Sequence, residues 1–230
     1  MIKVRFSNVS KTYKYGEEKV KELSNFNLEI KNGEIVVLCG SYGTFKTTLL
    51  NFLVKKEKVS DGEIIVDDVN IEKIKTKDLI KKIGYVLNSG NFIEDLTLIE
   101  NIMLSKKIAK SSIDENEIIS KLCLDGKEKY YPRMLSSEEK ILASIIISIV
   151  KDPEIILLDE SLDNISIDKK KKVIKLLKSL SKSKKSIIIT TKNENLDNTL
   201  KNVFLLKEKE NIVTVSCPII KNKRTKKNAK

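Results

Sequence analysis

A lysine followed by two hydroxyl residues, Lys46-Thr47-Thr48, closes the segment Gly40-Ser41-Tyr42-Gly43-Thr44-Phe45, which itself follows the apolar run Ile35-Val36-Val37-Leu38-Cys39. A glycine-bearing loop that enters a helix presents successive backbone amides to a polyphosphate, and the helix N-terminus adds positive potential. In that setting Lys46 reaches the outer phosphates and Thr47 ligates Mg²⁺. Loops of this kind carry glycine just before the lysine. Phe45 stands there instead, where a ring would narrow the site or strain the backbone. Taken alone, the segment also fits an ordinary strand-loop-helix connection with a chance Lys-Thr pair.

A second group lies more than 100 residues on, where Ile155-Ile156-Leu157-Leu158 ends in Asp159-Glu160. Acids at the carboxyl end of a buried strand lie where ligands bind in open α/β sheets. Asp159 suits the Mg²⁺ shell, and Glu160 suits polarising an attacking water. Two solvated loop acids are the alternative when the phosphate loop is left aside.

These groups need elements to hold them. Residues 4–9 and 26–30 alternate apolar and polar, the pattern of half-buried strands, and Lys31-Asn32-Gly33 marks a turn. Residues 35–39 and 155–158 are wholly apolar runs, which predicts strands covered on both faces, and 186–190 reads as a third buried strand. Residues 47–54 and 168–180 carry helical spacing, and the stretch 96–150 is mainly helical in pattern. Shorter strands are predicted at 62–66, 84–87, 203–206 and 212–215. Buried strands separated by helices predict a parallel α/β core, with the helical stretch inserted in it.

Composition bounds the rest. The chain has 230 residues, 40% of them hydrophobic, enough to bury a sizeable core. The longest apolar run, 141–150, falls well short of the roughly 20 residues of a membrane span. The N-terminus lacks the apolar stretch of a signal peptide, so a cytoplasmic location is expected. Cys39, Cys123 and Cys217 are far apart and histidine is absent, which argues against a zinc site and for reduced thiols. The net charge of +12 is almost all lysine, with arginine only at 5, 133 and 224. Lys, Ile and Asn are abundant throughout, so the charge says little about partners, and no specific nucleic acid is expected. The densest basic patch, 221–230, reads as a solvated, disordered tail.

The motifs also form a series. Asn8-Val-Ser-Lys-Thr-Tyr13, Leu28-Glu-Ile-Lys-Asn-Gly33-Glu34 and the phosphate loop are followed by Ser60-Asp-Gly62-Glu-Ile and Ile83-Gly-Tyr-Val-Leu-Asn88. Then come Leu96-Thr-Leu-Ile-Glu100-Asn101-Ile, Tyr131-Pro-Arg-Met-Leu135-Ser136 and Asp152-Pro-Glu-Ile-Ile-Leu-Leu-Asp-Glu160. In this order and spacing they resemble the ABC ATPase family over nearly the full chain. The Lys-Thr-Tyr block and the Leu-Thr-x-x-Glu-Asn string look like the branch serving lipoprotein release, macrolide export and cell division. The resemblance implies an α/β P-loop NTPase core with a mainly parallel sheet, an N-terminal antiparallel β part and a helical insertion. It implies one ATP-binding domain over 1–220, with a helical subdomain at about 94–150. ATP and Mg²⁺ are the implied ligands. Residues 40–48 would hold the triphosphate, Tyr13 would stack on adenine, and Ser136 would face the γ-phosphate of a partner cassette. Thr47, Asn88 and Asp159 would serve the metal, and Lys46, Glu160 and Lys192 the catalysis.

Several positions depart from the family pattern. Asn88 replaces a longer glutamine. Lys192 replaces the switch histidine; it pairs with phosphate as a point charge but does not accept a proton at neutral pH, and a plain surface lysine is the other reading. The family's Leu-Ser-Gly-Gly-Gln reads Leu135-Ser136-Ser137-Glu138-Glu139 here. Ser136 with Glu139 fits a capping box, which uses amides that would otherwise face phosphate. Glu138 and Glu139 also bring negative charge towards a negative ligand, at about 1–4 kcal/mol for a contact near 4 Å. Ser166 stands where the family has a dimer-contact aspartate, and Asp168 lies two residues late. The expected function is the ATP-binding subunit of an ABC transport system, working as a homodimer or heterodimer beneath a separate membrane permease at the inner face of the cell membrane, with slow hydrolysis. A catalytically degenerate, nucleotide-binding or scaffold subunit is the alternative, and a soluble two-cassette ATPase acting on nucleic acid is a third.

Overall fold

A computed structural model describes residues 1–16, 18–87, 90–194, 196–209 and 212–216, apart from the side chains of Tyr15, residues 18–21 and Ser216. Asn88, Cys217 and the segment 221–230 lie outside the described residues.

Ten strands form one sheet. They are β1 (Ile2–Tyr15), β2 (Glu18–Lys31), β3 (Ile35–Cys39), β4 (Asp61–Val66), β5 (Val69–Asn70), β6 (Ile83–Val86), β7 (Ile155–Asp159), β8 (Ser186–Thr191), β9 (Asn202–Lys209) and β10 (Ile212–Ser216). Their order across the sheet is β5-β4-β1-β2-β10-β9-β3-β8-β7-β6. From β9 to β6 every neighbour is parallel, while β5, β4, β1 and β2 pair antiparallel. This is the expected α/β core with an N-terminal antiparallel part.

The central strands face apolar layers on both sides. Val37 and Cys39 pack into one core and Val36 and Leu38 into the other; Ile156 and Leu158 divide from Ile155 and Leu157 in the same way. The period of two along an all-apolar strand therefore feeds two cores at once. One core is covered by the helical middle, chiefly α5 (Ser137–Ile149), whose residues 141–149 are all buried. The amphipathic α6 (Ile167–Lys182) closes the same side with Val173, Ile174, Leu176 and Leu177. The other core holds α1 (Lys46–Leu53) against the antiparallel strands. The helical middle also contains α3 (Leu98–Ala109) and α4 (Glu115–Lys121). Thr97 and Glu100 start α3 with a capping box, which satisfies two amides at its N-terminus.

Two features differ from the sequence expectation. The hairpin β1–β2 runs 14 residues on each side, far beyond the 4–9 and 26–30 read from alternation. Register shifts between Phe6 and Val9 and between Val9 and Lys11, with Asn8 at φ 50°, break the period of two that alternation relies on. The short α2 (Thr76–Lys82) was not expected; it buries only Leu79, too little to leave a readable stripe.

Candidate nucleotide site

Three adjacent parallel strands, β3, β8 and β7, end at the same sheet edge, with Cys39 opposite Thr191 and Asp159 opposite Thr190. The loop after β3 therefore lies beside the acids after β7. Thr47 Oγ1 is 3.1 Å from Asp159 Oδ1, although 112 residues separate them. Asp159 is also the acceptor for Thr190 Oγ1 at 2.8 Å and for the Tyr85 hydroxyl at 3.4 Å. Burial, with the charge of Asp159 adding to it, pushes the Tyr85 phenol up, so it stays a donor.

Lys46 is 3% exposed and folds back on its own loop. It donates to the Gly40 and Ser41 carbonyls at 2.7 Å each, and pairs with Glu160 at 3.2 Å. Thr44 is buried and ties the loop through a 2.8 Å bond to the Ser41 carbonyl. Gly40 has no room for a side chain, since a Cβ there would lie 2.5 Å from Thr44 Oγ1 and 2.9 Å from the Leu206 carbonyl. Glu160 holds φ 48° at the strand end and pairs with Lys192 at 3.0 Å as well. Burial alone would raise the Glu160 carboxyl. The hydrogen bonds from Lys192 and Lys46 outweigh it and keep the group below its ordinary value.

A profile of the family described as ABC transporter matches residues 23–163. The chain belongs to the ABC transporter family. An uncharacterised ABC transporter ATP-binding protein from Methanocaldococcus jannaschii, MJ0796, is 30% identical over 221 residues, covering 90% of this chain and 94% of that protein. The lipoprotein-releasing system ATP-binding protein LolD of Francisella tularensis is 31% identical over 215 residues, covering 88% and 93%. Among solved structures, the dimeric MJ0796 cassette in a post-hydrolysis state with ADP and Pi superposes with a TM-score of 0.79 at 27% identity, covering 93% of this chain and 98% of that one. The fold is that of an ABC ATP-binding cassette, and the sequence reading of family and architecture holds.

In this cassette the loop between β3 and α1 bounds a cleft of about 420 Å³. Gly43, Thr44, Phe45, Lys46, Thr47 and Thr48 line it, together with Tyr42, Tyr13 and Glu160. Gly40, Ser41 and Asp159 shape it from behind, through the bonds to Lys46 and Thr47. Tyr42 is 87% exposed and carries the Lys192 ammonium 5.7 Å from its ring centre. Ser136 does not line the cleft; it caps α5 elsewhere on the molecule.

Phe45 does not obstruct the cleft as its size suggested. Its backbone is left-handed (φ 60°, ψ 13°), which glycine adopts freely and a bulky residue at a cost of about 1–2 kcal/mol. Its ring is only 5% exposed and packs into the core with Leu49 and Phe52. Burial of that ring offsets the strain, because removing a buried Phe ring costs about 3–5 kcal/mol.

Glu138 has partners within the chain. Its carboxylate accepts from the Ser166 backbone amide and from Lys169 Nζ, at the start of α6, so its charge is paired within the chain. The Lys169 bond, then the amide of Ser166, hold the carboxyl at about 2, against an ordinary 4.5. This clamp is complete above pH 4.5 and is lost as pH falls towards 2. Glu138→Gln is expected to lower stability by about 1 kcal/mol or less at pH 7, as partly exposed pairs do. Thermal melts should show the gap from wild type closing as pH falls below 4.5; a gap independent of pH would contradict the clamp.

The capping box at Ser136 is present as read: Glu139 N donates to Ser136 Oγ at 3.2 Å, and Ser136 N to Glu139 Oε2 at 2.8 Å. Sequence reasoning missed Thr190, which reads only as a strand former, and Asp163. Asp163 accepts from Thr191 Oγ1 and, at 2.9 Å, from the Lys192 amide, fixing the backbone of the switch position. An acid three residues past Glu160 was the available signal.

Proposed function

We propose that the cassette binds Mg²⁺·ATP in the cleft at the carboxyl ends of β3 and β7 and serves a separate membrane permease from the inner face of the membrane. The observation that carries this reading is the contact of Thr47 with Asp159 beside Lys46 and Glu160. Two hard oxygen donors, a cation and a carboxylate meet beside the loop that joins β3 to α1. These residues fit the ligands: oxygen donors suit Mg²⁺, and Gly43, which lines the cleft, puts no side chain between its backbone and a phosphate. Thr47 and Asp159 would hold the metal, with Asn88 as a further donor. When bound, Mg²⁺ neutralises charge between the phosphate oxygens.

The chain's own groups then have distinct tasks. Amides from 40 to 48 receive the phosphates, and Lys46 exchanges its two carbonyl partners for phosphate oxygens. Glu160 accepts a proton from the attacking water. Lys192 stays cationic, held so first by its bond to Glu160. It therefore orients Glu160 and offers a point charge to the γ-phosphate without relaying a proton. A base held below its ordinary value and a switch residue that relays no proton together favour slow turnover. Tyr13 provides an aromatic face for adenine. Two cassettes, identical or not, would close with Ser136 of one facing the nucleotide of the other.

The test is titration of a fluorescent ATP analogue into the intact chain. Saturable binding, displaced by ATP and tightened by Mg²⁺, is expected. Absence of saturation at millimolar analogue would overturn the reading. The capping box favours a second reading, a nucleotide-binding partner with little hydrolysis of its own, because Ser136 and the Glu139 amide already satisfy one another.

A further inference from the structure

Position 45 carries a side chain where the phosphate loop ordinarily has none, and that side chain touches the cleft's other recognition element. The Phe45 ring stacks on Tyr13 with centroids 5.6 Å apart and planes 27° from parallel. Tyr13 comes from β1, and 40% of it is exposed. Its hydroxyl lies 3.3 Å from Thr48 Oγ1 and donates to Glu57, while the Lys11 ammonium sits 5.3 Å from its ring centre. The tyrosine is thus fastened to the phosphate loop by the ring at 45 and to α1 by Thr48. Both rings line the cleft.

We propose that Phe45 is a positioning residue for the nucleobase: it sets the Tyr13 ring in the cleft wall, so that seating phosphates on the loop also orients the surface on which the base stacks. This rests on the reading of Tyr13 as the adenine platform. The loop's left-handed turn at 45 aims the side chain inward to the core rather than across the phosphate amides, so the ring acts through Tyr13 and not on phosphate. A glycine in this place would leave the Tyr13 side chain held, among the described residues, by Thr48, Glu57 and Lys11.

The proposal separates base recognition from phosphate recognition, and the test does the same. Affinities of Mg²⁺·ATP and of Mg²⁺·tripolyphosphate, which lacks the base, are measured on the intact chain and on Phe45→Leu, Phe45→Tyr and Tyr13→Ala. Phe45→Leu keeps an apolar side chain in the core but removes the aromatic face. It is expected to weaken ATP by about two- to tenfold, the worth of one aromatic pair, and to leave tripolyphosphate unchanged. Phe45→Tyr restores a ring and should restore ATP affinity, which also shows that the position tolerates substitution without unfolding. Equal weakening of both ligands in Phe45→Leu, or no change in either, overturns the proposal. If Tyr13→Ala leaves both affinities untouched, the platform reading itself fails; if it weakens ATP while Phe45→Leu does not, only the role of Phe45 falls.

Discussion

Glu160→Gln is expected to lower steady-state phosphate release by about 10²–10⁴-fold, the usual contribution of a positioned general base. Nucleotide affinity should change little, because Lys46 keeps its carbonyl partners at Gly40 and Ser41. The variant is near-isosteric, so the φ of 48° at this position and the hydrogen bond that its backbone N–H donates to Thr190 Oγ1 at 2.9 Å are retained. What it loses is proton-accepting capacity and the double pairing with Lys46 and Lys192. That pairing bears on the wild-type rate. Two cations hold Glu160 ionised at neutral pH but make it a weak base, and Lys192 does not take up a proton to compensate. Slow wild-type turnover and a nucleotide-loaded, closed form of Glu160→Gln are the joint expectation. Phosphate release measured at high protein concentration decides it. Equal rates for wild type and variant would mean that Glu160 moves no proton and that the nucleotide-binding partner with little hydrolysis is the better description.

The architecture was legible wherever burial made the sequence one-sided. Residues 35–39 and 155–158 have no polar face to choose, so they read as central strands, and parallel strands ending on one edge bring Lys46, Thr47, Asp159 and Glu160 together. The long hairpin was not legible, because its bulges near Asn8 invert the in-out pattern that alternation depends on. The chemistry was legible by type but not by direction. Phe45 looked like an obstruction, since spacing does not say that a left-handed turn sends the ring into the core. The partners of Glu138 were not legible, since nothing in Leu135-Ser136-Ser137-Glu138-Glu139 announces that the start of α6 supplies it with an amide and an ammonium. Asp163 and Thr190 act on Lys192 and Asp159 across strands, and such partners become visible only once register is known.

Lys46→Ala is expected to weaken Mg²⁺·ATP binding by one to two powers of ten. A hydrogen bond to a charged group contributes about 1.5–3 kcal/mol, and each 1.4 kcal/mol is tenfold. The loss is kept from being larger by what the lysine does without nucleotide. It already has two carbonyl acceptors at 2.7 Å and a carboxylate at 3.2 Å, so binding exchanges partners rather than gaining them outright. The amides of the loop remain and should sustain residual binding. Fold stability should move less than affinity. The Ser41 carbonyl belongs to an exposed residue and Glu160 keeps Lys192, so the main structural cost is the donor lost by the buried Gly40 carbonyl. The comparison that matters is therefore affinity against melting temperature in the same variant. A fall in affinity of at least tenfold, with an unfolding midpoint within a few degrees of wild type, fits a lysine whose purpose is phosphate. An unchanged affinity with a large drop in melting temperature would make Lys46 a structural clasp for residues 40–44, and the cleft a scaffold without a ligand.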